Sequence, residues 1–214
     1  MDYRYKETFE TWNKLALLYQ DRFMNLDLYN ETYDFICHSI TRKNAKLLEI
    51  GCGPGNITNY LLSVRPDFDI FGIDIAPSMI ELAKKNNPAA SFATMDCRDI
   101  SELKTKYEGI ICGFCLPYLS HTDSQTFLTD CYNLLTDEGL LYISFVEGDP
   151  SKSDFQTAST GDRSFFYFYN LNDLTKQLVE NNFDNFQIFK VEYKKNETSI
   201  DIHTILTAKK KTTP

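Results

Sequence analysis

Apolar positions along this chain change period repeatedly. From Thr8 to Phe23 they recur every three or four residues, at Trp12, Leu15, Leu18, Tyr19 and Phe23, and from Tyr29 to Ile40 they do so at Tyr33, Ile36 and Ile40, which predicts two amphipathic helices. Lys46 to Ile50 then reads as a short buried strand. A glycine cluster follows, and a helix from Asn56 that must end before Pro66, because proline lacks the N–H of a helix interior and its ring clashes with the preceding turn. Phe68 to Ile75 is the next strand, and Pro77-Ser78 opens a helix that runs through Lys85 and stops before Pro88. Ser91 to Met95 and Tyr107 to Cys112 are strands, Asp123 to Leu135 is a helix closed by Asp137-Glu138-Gly139, and Leu140 to Val146 is a fifth strand. A polar loop at Ser151 to Gly161 precedes a helix from Asn170 to Asn181, with Asn170 or Asn172 as its cap. Strands Phe186 to Tyr193 and Ile200 to Leu206, joined by the polar turn Lys194 to Ser199, complete the chain.

Strands that alternate with helices of this length call for an α/β fold: a Rossmann-like, mostly parallel sheet of seven strands with helices on both faces. The terminal hairpin makes the last strand antiparallel. The 214 residues fit one domain, in which residues 1–45 form an N-terminal helical cap and 46–214 the core. With 43% hydrophobic residues such a chain closes a core without disulfide or metal.

Charge narrows the partners. A net −8 repels a phosphate backbone and argues against DNA or long RNA. The first residues, Met1 to Glu7, mix both charge signs and lack the apolar run of a secretory signal. The longest apolar stretch, Ile110 to Leu119, is broken by Gly113 and Pro117 and is too short to span a bilayer. The expectation is a cytoplasmic protein without a membrane partner. Its six cysteines sit in apolar or glycine-rich surroundings, as free thiols do in a reducing compartment, and Cys112/Cys115 with only three histidines does not make a zinc site, so no metal is expected.

The stretch Leu47-Leu48-Glu49-Ile50-Gly51-Cys52-Gly53-Pro54-Gly55-Asn56 carries the chemistry. A strand runs straight into a Gly-x-Gly-x-Gly turn that opens a helix, and in open α/β sheets ligands sit at the carboxyl ends of the strands where the winding reverses. Asp74 ends the second strand 19 residues after the last glycine, where a carboxylate can accept from both hydroxyls of a ribose. A dinucleotide fingerprint runs Gly-x-Gly-x-x-Gly and leaves room for a pyrophosphate; here Pro54-Gly55 closes the turn one residue early, which argues against NAD.

In these residues the sequence resembles the class I S-adenosylmethionine-dependent methyltransferases. Leu48 to Gly55 is similar to the family's first motif and Phe71-Gly72-Ile73-Asp74-Ile75-Ala76-Pro77-Ser78-Met79 to its second, Met95-Asp96-Cys97 to its third-strand end and Tyr107 to Phe114 to its fourth strand. The resemblance implies S-adenosylmethionine as cofactor and specific places for it. Gly51, Cys52, Gly53 and Gly55 would pack under its methionine and ribose parts, and Glu49 would support the loop or the cofactor amine. Asp74 would hold the ribose, and Ile75 and Met79 would flank the adenine. Asp96 would accept from the adenine amino group while the Cys97 backbone N–H donates to the ring, the Cys97 thiol itself being inert. Phe114 and Cys115 would stand beside the reactive methyl group, and the cap would close over the cofactor through Tyr19.

One departure narrows the acceptor. Family members that methylate exocyclic amines of bases or protein glutamines carry Asn- or Asp-Pro-Pro-Tyr after the fourth strand, where this chain has Cys115-Leu116-Pro117-Tyr118. Together with the negative charge this points to a small-molecule substrate. Two segments could line its pocket: the first helix, with Trp12 and Tyr19, and Glu147 to Asn170, with the run Phe165-Phe166-Tyr167-Phe168-Tyr169 that could equally be a strand or core. Of the histidines, His38 reads as a surface helix residue. His203, at the start of the reversed strand, is preferred over His121 as a general base because that strand begins where the parallel strands end. A hydrogen-bonded core histidine would look the same in the sequence. A cofactor-binding subunit without turnover, and more remotely a nucleotide-dependent oxidoreductase, are the alternatives left open.

Overall fold

The computed structural model describes residues 2–196 and 199–212. Helices α1 (Tyr3–Lys14), α2 (Ala16–Phe23) and α3 (Asn30–Ser39) precede β1 (Lys46–Ile50). Then come α4 (Asn56–Val64), β2 (Asp69–Asp74), α5 (Pro77–Asn86), β3 (Ser91–Thr94), β4 (Tyr107–Gly113), α6 (His121–Leu134) and β5 (Leu135–Val146). A small pair, β6 (Asp154–Thr157) and β7 (Arg163–Phe166), leads to α7 (Leu171–Glu180) and the hairpin β8 (Phe183–Asn196) and β9 (Ser199–Lys210). The main sheet has the order β3-β2-β1-β4-β5-β9-β8, with β9 antiparallel to both neighbours and the strands from β3 to β5 parallel. The seven-stranded, mostly parallel architecture expected from the pattern is present.

Consecutive residues of the central strands enter opposite cores. Leu47, Ile111, Leu140 and Tyr142 join one cluster, while Leu48, Ile110, Leu141 and Ile143 join the other. A strand covered on both faces reads as an unbroken apolar run because each successive side chain points to the other side. Phe127, Leu128 and Cys131 of α6 and Leu174 and Leu178 of α7 seal one face, and Ile57 and Leu61 of α4 contribute to the other. Each of the fully buried leucines contributes ~1.5 to 3 kcal/mol relative to exposure.

Four expectations change. The first helix is broken at Leu15, whose φ and ψ of −90° and 10° separate α1 from α2, and α1 starts at Tyr3 with Asp2 as its cap. The three-to-four-residue period continues across the break, so the pattern could not show it. The second expected helix, α3, is a sheet helix and not cap: Tyr33, Ile36 and Cys37 pack with Leu47, Leu140 and Ile205. The cap is therefore α1 and α2. The loop at Ser151 to Gly161 contains β6, which pairs with β7 from Asp154↔Phe166 to Thr157↔Arg163. A partner distant in sequence gives these polar residues their extended form: β7 is itself held to α1, where the Phe165 N–H donates to Thr8 Oγ1 at 2.9 Å and Thr11 Oγ1 donates to the Arg163 carbonyl at 2.5 Å. Asp137-Glu138-Gly139, expected to close the helix from Asp123, is instead an irregularity inside β5, with Glu138 at φ 61°. Part of the expected turn between the last two strands, Glu197 and Thr198, lies outside the described residues. No described helix is long and apolar enough to cross a membrane.

Candidate functional site

The carboxyl ends of β1, β2 and β4 meet the cap in a cavity of about 150 Å³. The glycine turn forms its floor. Gly51, Gly53 and Gly55 have φ of 66°, 53° and 82°, where an L side chain is strained. Space is closed as well at Gly51, where an added Cβ would lie 2.6 Å from that of Cys115. Gly51 and Gly53 border the cavity. Gly55 and Cys52, both expected at the ligand, line neither this cavity nor the adjoining one. The curl of the turn directs them into the fold: Gly55 packs on Asn87 and Ala83 beside α5, and the Cys52 side chain lies among Ile80, Ala83 and Phe92.

Asp74 stands at the end of β2 with Oδ2 accepting from the Gly53 N–H at 2.9 Å and Oδ1 from the Ala76 N–H at 2.8 Å. Burial pushes its carboxyl pKa up, opposed by those two N–H groups. A carboxylate has about four acceptor positions, so capacity remains for a ligand's hydroxyls. Ile75 and Met79 line the wall beside it.

Asp96 and Cys97 border the same cavity, but Asp96 is engaged. Its Oδ1 accepts from the Arg98 N–H at 2.9 Å and Nε at 3.0 Å, and its Oδ2 accepts from Nε at 3.1 Å and Nη2 at 2.5 Å. Burial opposes ionisation of Asp96, yet Arg98 outweighs it and holds the carboxyl below its ordinary value. An adenine amino group could be accepted by this carboxylate only if an Arg98 bond were released. The Arg98 guanidinium lies 4.1 Å from the ring centroid of Tyr5 on α1, whose hydroxyl accepts from the Ser120 N–H at 2.8 Å and donates to Asp123. Tyr5 thus fastens the cap across this end. A hydrogen bond with Cys115, and burial, raise the Cys97 thiol well above its usual range; a hydrogen bond with Cys112, and burial, raise that of Cys115 against an opposing bond with Cys97, so both stay protonated and unreactive at neutral pH.

A second cavity, of about 200 Å³, opens beside the first and shares Trp12, Tyr19, Gly51, Gly113, Phe114 and Tyr118 with it. Trp12 meets the edges of Tyr19 and Tyr118 with centroids 5.6 Å apart in both pairs. Phe114 leaves β4 at a positive φ of 54°, its N–H donating to Ser144 Oγ at 2.9 Å, which turns its ring into the cavity. Glu49 lies at the back, 1% exposed and accepting from the Thr58 hydroxyl. Burial pushes its pKa up to about 8.

His203 lines this second cavity. It sits on β9 across from Val146 of β5 and Val191 of β8. The imidazole lies nearly parallel to the rings of Tyr29 and Tyr193, at 6.0 and 4.8 Å between centroids, and its Nδ1 is 2.6 Å from the Tyr29 hydroxyl. His121 lines neither cavity; it starts α6 against Tyr167 and Tyr169, and burial lowers its pKa. His38 bonds the Asp34 carbonyl on an exposed helix face. Among the described residues no group of three or more His, Cys, Asp or Glu side chains converges as a metal site.

Several lining residues had no sequence signal of their own. Tyr5, Thr8 and Phe9 belong to a turn of α1 N-terminal to, or at the start of, the expected helix, and Tyr29, Tyr33 and Tyr193 read as core or surface positions of their elements.

Residues 47–139 match the family model of a methyltransferase domain. This stretch, from β1 into β5, is similar to methyltransferases, and it holds the glycine turn, Asp74 and Cys97. Over 136 residues the chain is 31% identical to 235L, a protein named as a methyltransferase in Invertebrate iridescent virus 6, covering 64% of this chain and 49% of that one. It is 25% identical over 146 residues to the carboxy-S-adenosyl-L-methionine synthase of Campylobacter hominis, of which it covers 62%. The chain thus spans about half to three fifths of the length of these relatives. In fold it is similar to the magnesium protoporphyrin IX methyltransferase of Synechocystis PCC 6803, with a TM-score of 0.72, 16% identity and 97% of each chain covered.

Proposed function

We propose that this protein binds S-adenosylmethionine in the first cavity and methylates a small molecule held in the second. The observation that carries the reading is the gathering of Gly51, Gly53, Asp74, Ile75, Met79 and Cys97 around one cavity at the carboxyl ends of the parallel strands. The residues fit the cofactor: Asp74 retains acceptor capacity toward a ribose, Ile75 and Met79 give apolar surface for adenine, and Gly51 and Gly53 leave the floor without side chains. When bound, the cofactor supplies an electrophilic methyl group for in-line transfer to an acceptor.

The chain's own work is positioning. Tyr19 and Phe114 line both cavities and Cys115 the first, and holding two reactants in near-attack geometry at their junction supplies ~7 to 11 kcal/mol of a barrier. His203 is the proposed base for an acceptor hydroxyl or neutral amine. That role requires its Nδ1 to carry a proton and donate to the Tyr29 oxygen, which leaves Nε2 as the acceptor. Methyl transfer is favoured over handling a carboxylated product such as the one in the Campylobacter relative's name, because among the described residues no Lys or Arg lines the second cavity to balance a carboxylate.

Calorimetry with S-adenosylmethionine, S-adenosylhomocysteine and NAD tests the cofactor: the first two bind and NAD does not. Incubation with methyl-labelled cofactor and a metabolite extract tests turnover. A labelled small product is expected; cofactor binding with no labelled product in varied extracts would leave a binding subunit as the better reading.

A further inference from the structure

We propose that the second cavity accepts an uncharged, planar ring bearing the methyl-accepting heteroatom, and that Phe166 and Tyr193 select for it. This rests on the methyltransferase reading and names its acceptor class. Tyr29, Val146, Phe166, Tyr193 and His203 line the second cavity without touching the first, so they are free to set a preference independent of the cofactor. Their geometry favours a flat guest. Tyr29 and His203, nearly coplanar and joined edge to edge by their hydrogen bond, make one wall with Tyr193 stacked on His203, and Phe166, edge-on to Tyr118 at 5.9 Å, contributes another aromatic surface. Offset and edge-on ring contacts are worth more than the same area of aliphatic surface. The volume of about 200 Å³ suits one substituted ring, since an apolar cavity of ~150 Å³ takes up benzene.

Charge is disfavoured in both senses. An anion entering would lose its hydration with no Lys or Arg among the described lining residues, and His203, the base of the proposed reaction, is neutral in that role. Arg22 approaches from outside, donating to the Tyr193 hydroxyl at 2.9 Å and lying over the Phe23 ring, so its charge stays at the surface. A cation would find aromatic faces, which attract it. Its one carboxyl partner, Glu49, is already bonded by Thr58 and is kept largely protonated at neutral pH by burial. A cationic acceptor would also meet the positive charge that the cofactor brings to the adjoining cavity.

The test uses three ligands of matched shape and different charge: p-cresol, 4-methylbenzoate and 4-methylbenzylammonium. Each is titrated into the full chain saturated with S-adenosylmethionine, with binding read by saturation-transfer NMR and by the fluorescence of Trp12, the one tryptophan of the sequence, which lines both cavities. p-Cresol is expected to bind at least ~10-fold more tightly than either charged ligand. Equal or tighter binding of the benzoate or the ammonium overturns the proposal. Val146→Phe should fill the cavity and abolish p-cresol binding while cofactor affinity stays within about twofold; undiminished p-cresol binding to that folded variant places the ring elsewhere and also overturns it. Should Val146→Phe not fold, Tyr193→Ala replaces it, with a ~10-fold loss of p-cresol affinity expected and no loss refuting. Absence of cofactor binding to the unmodified protein would instead refute the cofactor reading, and the same three ligands on cofactor-free protein would still decide the cavity's preference.

Discussion

The two cavities share Trp12, Tyr19 and Phe114 but are assembled in opposite ways. The first takes its polar anchors from the ends of adjacent parallel strands, each bonded to backbone N–H groups within its own loop or the next one: Asp74 to Gly53 and Ala76, Asp96 to Arg98. The second is walled by rings from α3's approach, β7, β8 and β9, held by contacts between residues far apart in the chain, such as Tyr29 with His203. Local hydrogen bonds make a site whose place follows from the strand-turn-helix unit. Long-range ring packing makes a site that loops and cap can reshape without disturbing that unit, which is where a fold varies its substrate.

The largest effect should fall on the second cavity. His203→Gln is expected to lower turnover by ~10² to 10⁴-fold, the usual contribution of a positioned base, with cofactor affinity unchanged. Normal turnover of the variant on an identified substrate would remove His203 from the chemistry and leave it a cavity-wall residue.

Asp74→Ala probes the first cavity. A lost hydrogen bond to a charged group is worth ~1.5 to 3 kcal/mol, so S-adenosylhomocysteine should bind roughly 10- to 150-fold more weakly by calorimetry. Because Asp74 also braces Gly53 and Ala76, Asp74→Asn is the control that keeps one acceptor oxygen. An unchanged dissociation constant in both folded variants would show that Asp74 braces the loop and nothing more.

Glu49 lies on the second cavity's rear wall and ties its state to pH. Its folded pKa of about 8 lies above its ordinary 4.5, so the unfolded chain releases the proton first. The stability present below about pH 4.5 is then lost as pH rises to about 8, at up to ~1.4 kcal/mol per pH unit. Urea unfolding at about pH 5 and about pH 8.5 should show this loss in the wild type and a smaller one in Glu49→Gln. Parallel behaviour of the two proteins would mean that Glu49 is ionised in the fold.

The smallest effect should come from deleting residues 1–25. The cap covers both cavities, but α3 and not α1 or α2 packs with the sheet, so circular dichroism should show a folded core while cofactor affinity falls roughly tenfold, or ~1.4 kcal/mol. Outright unfolding would show that the bonds from Thr8 and Thr11 to β7 hold the fold as well as the lid.

Much of the first cavity was legible in the sequence. Gly51, Gly53, Asp74, Ile75, Met79 and Cys97 lie where a strand-glycine-helix unit and a strand-end carboxylate should lie, because strand ends and positive-φ turns are set within a few residues. Cys52 and Gly55 show the limit of that reading: a motif names a loop, but the curl of the loop decides which of its residues face outward. Asp96 shows another, since its acceptor oxygens are taken by Arg98 two residues on, a competitor that spacing alone does not rank.

By itself the sequence determined the order of strands and helices, the two-faced burial of the central sheet, the antiparallel last strand and the cofactor turn, all consequences of apolar periodicity and of where glycine and proline stand. Tertiary structure alone decided that α3 belongs to the sheet, that α1 and α2 separate at Leu15, that a polar loop becomes β6, and that Tyr29, Phe166, Tyr193 and His203 surround one cavity. Each of these depends on a partner distant in the chain: an amphipathic period shows that a helix has an apolar face, while what that face covers is settled only when the other surfaces are in place.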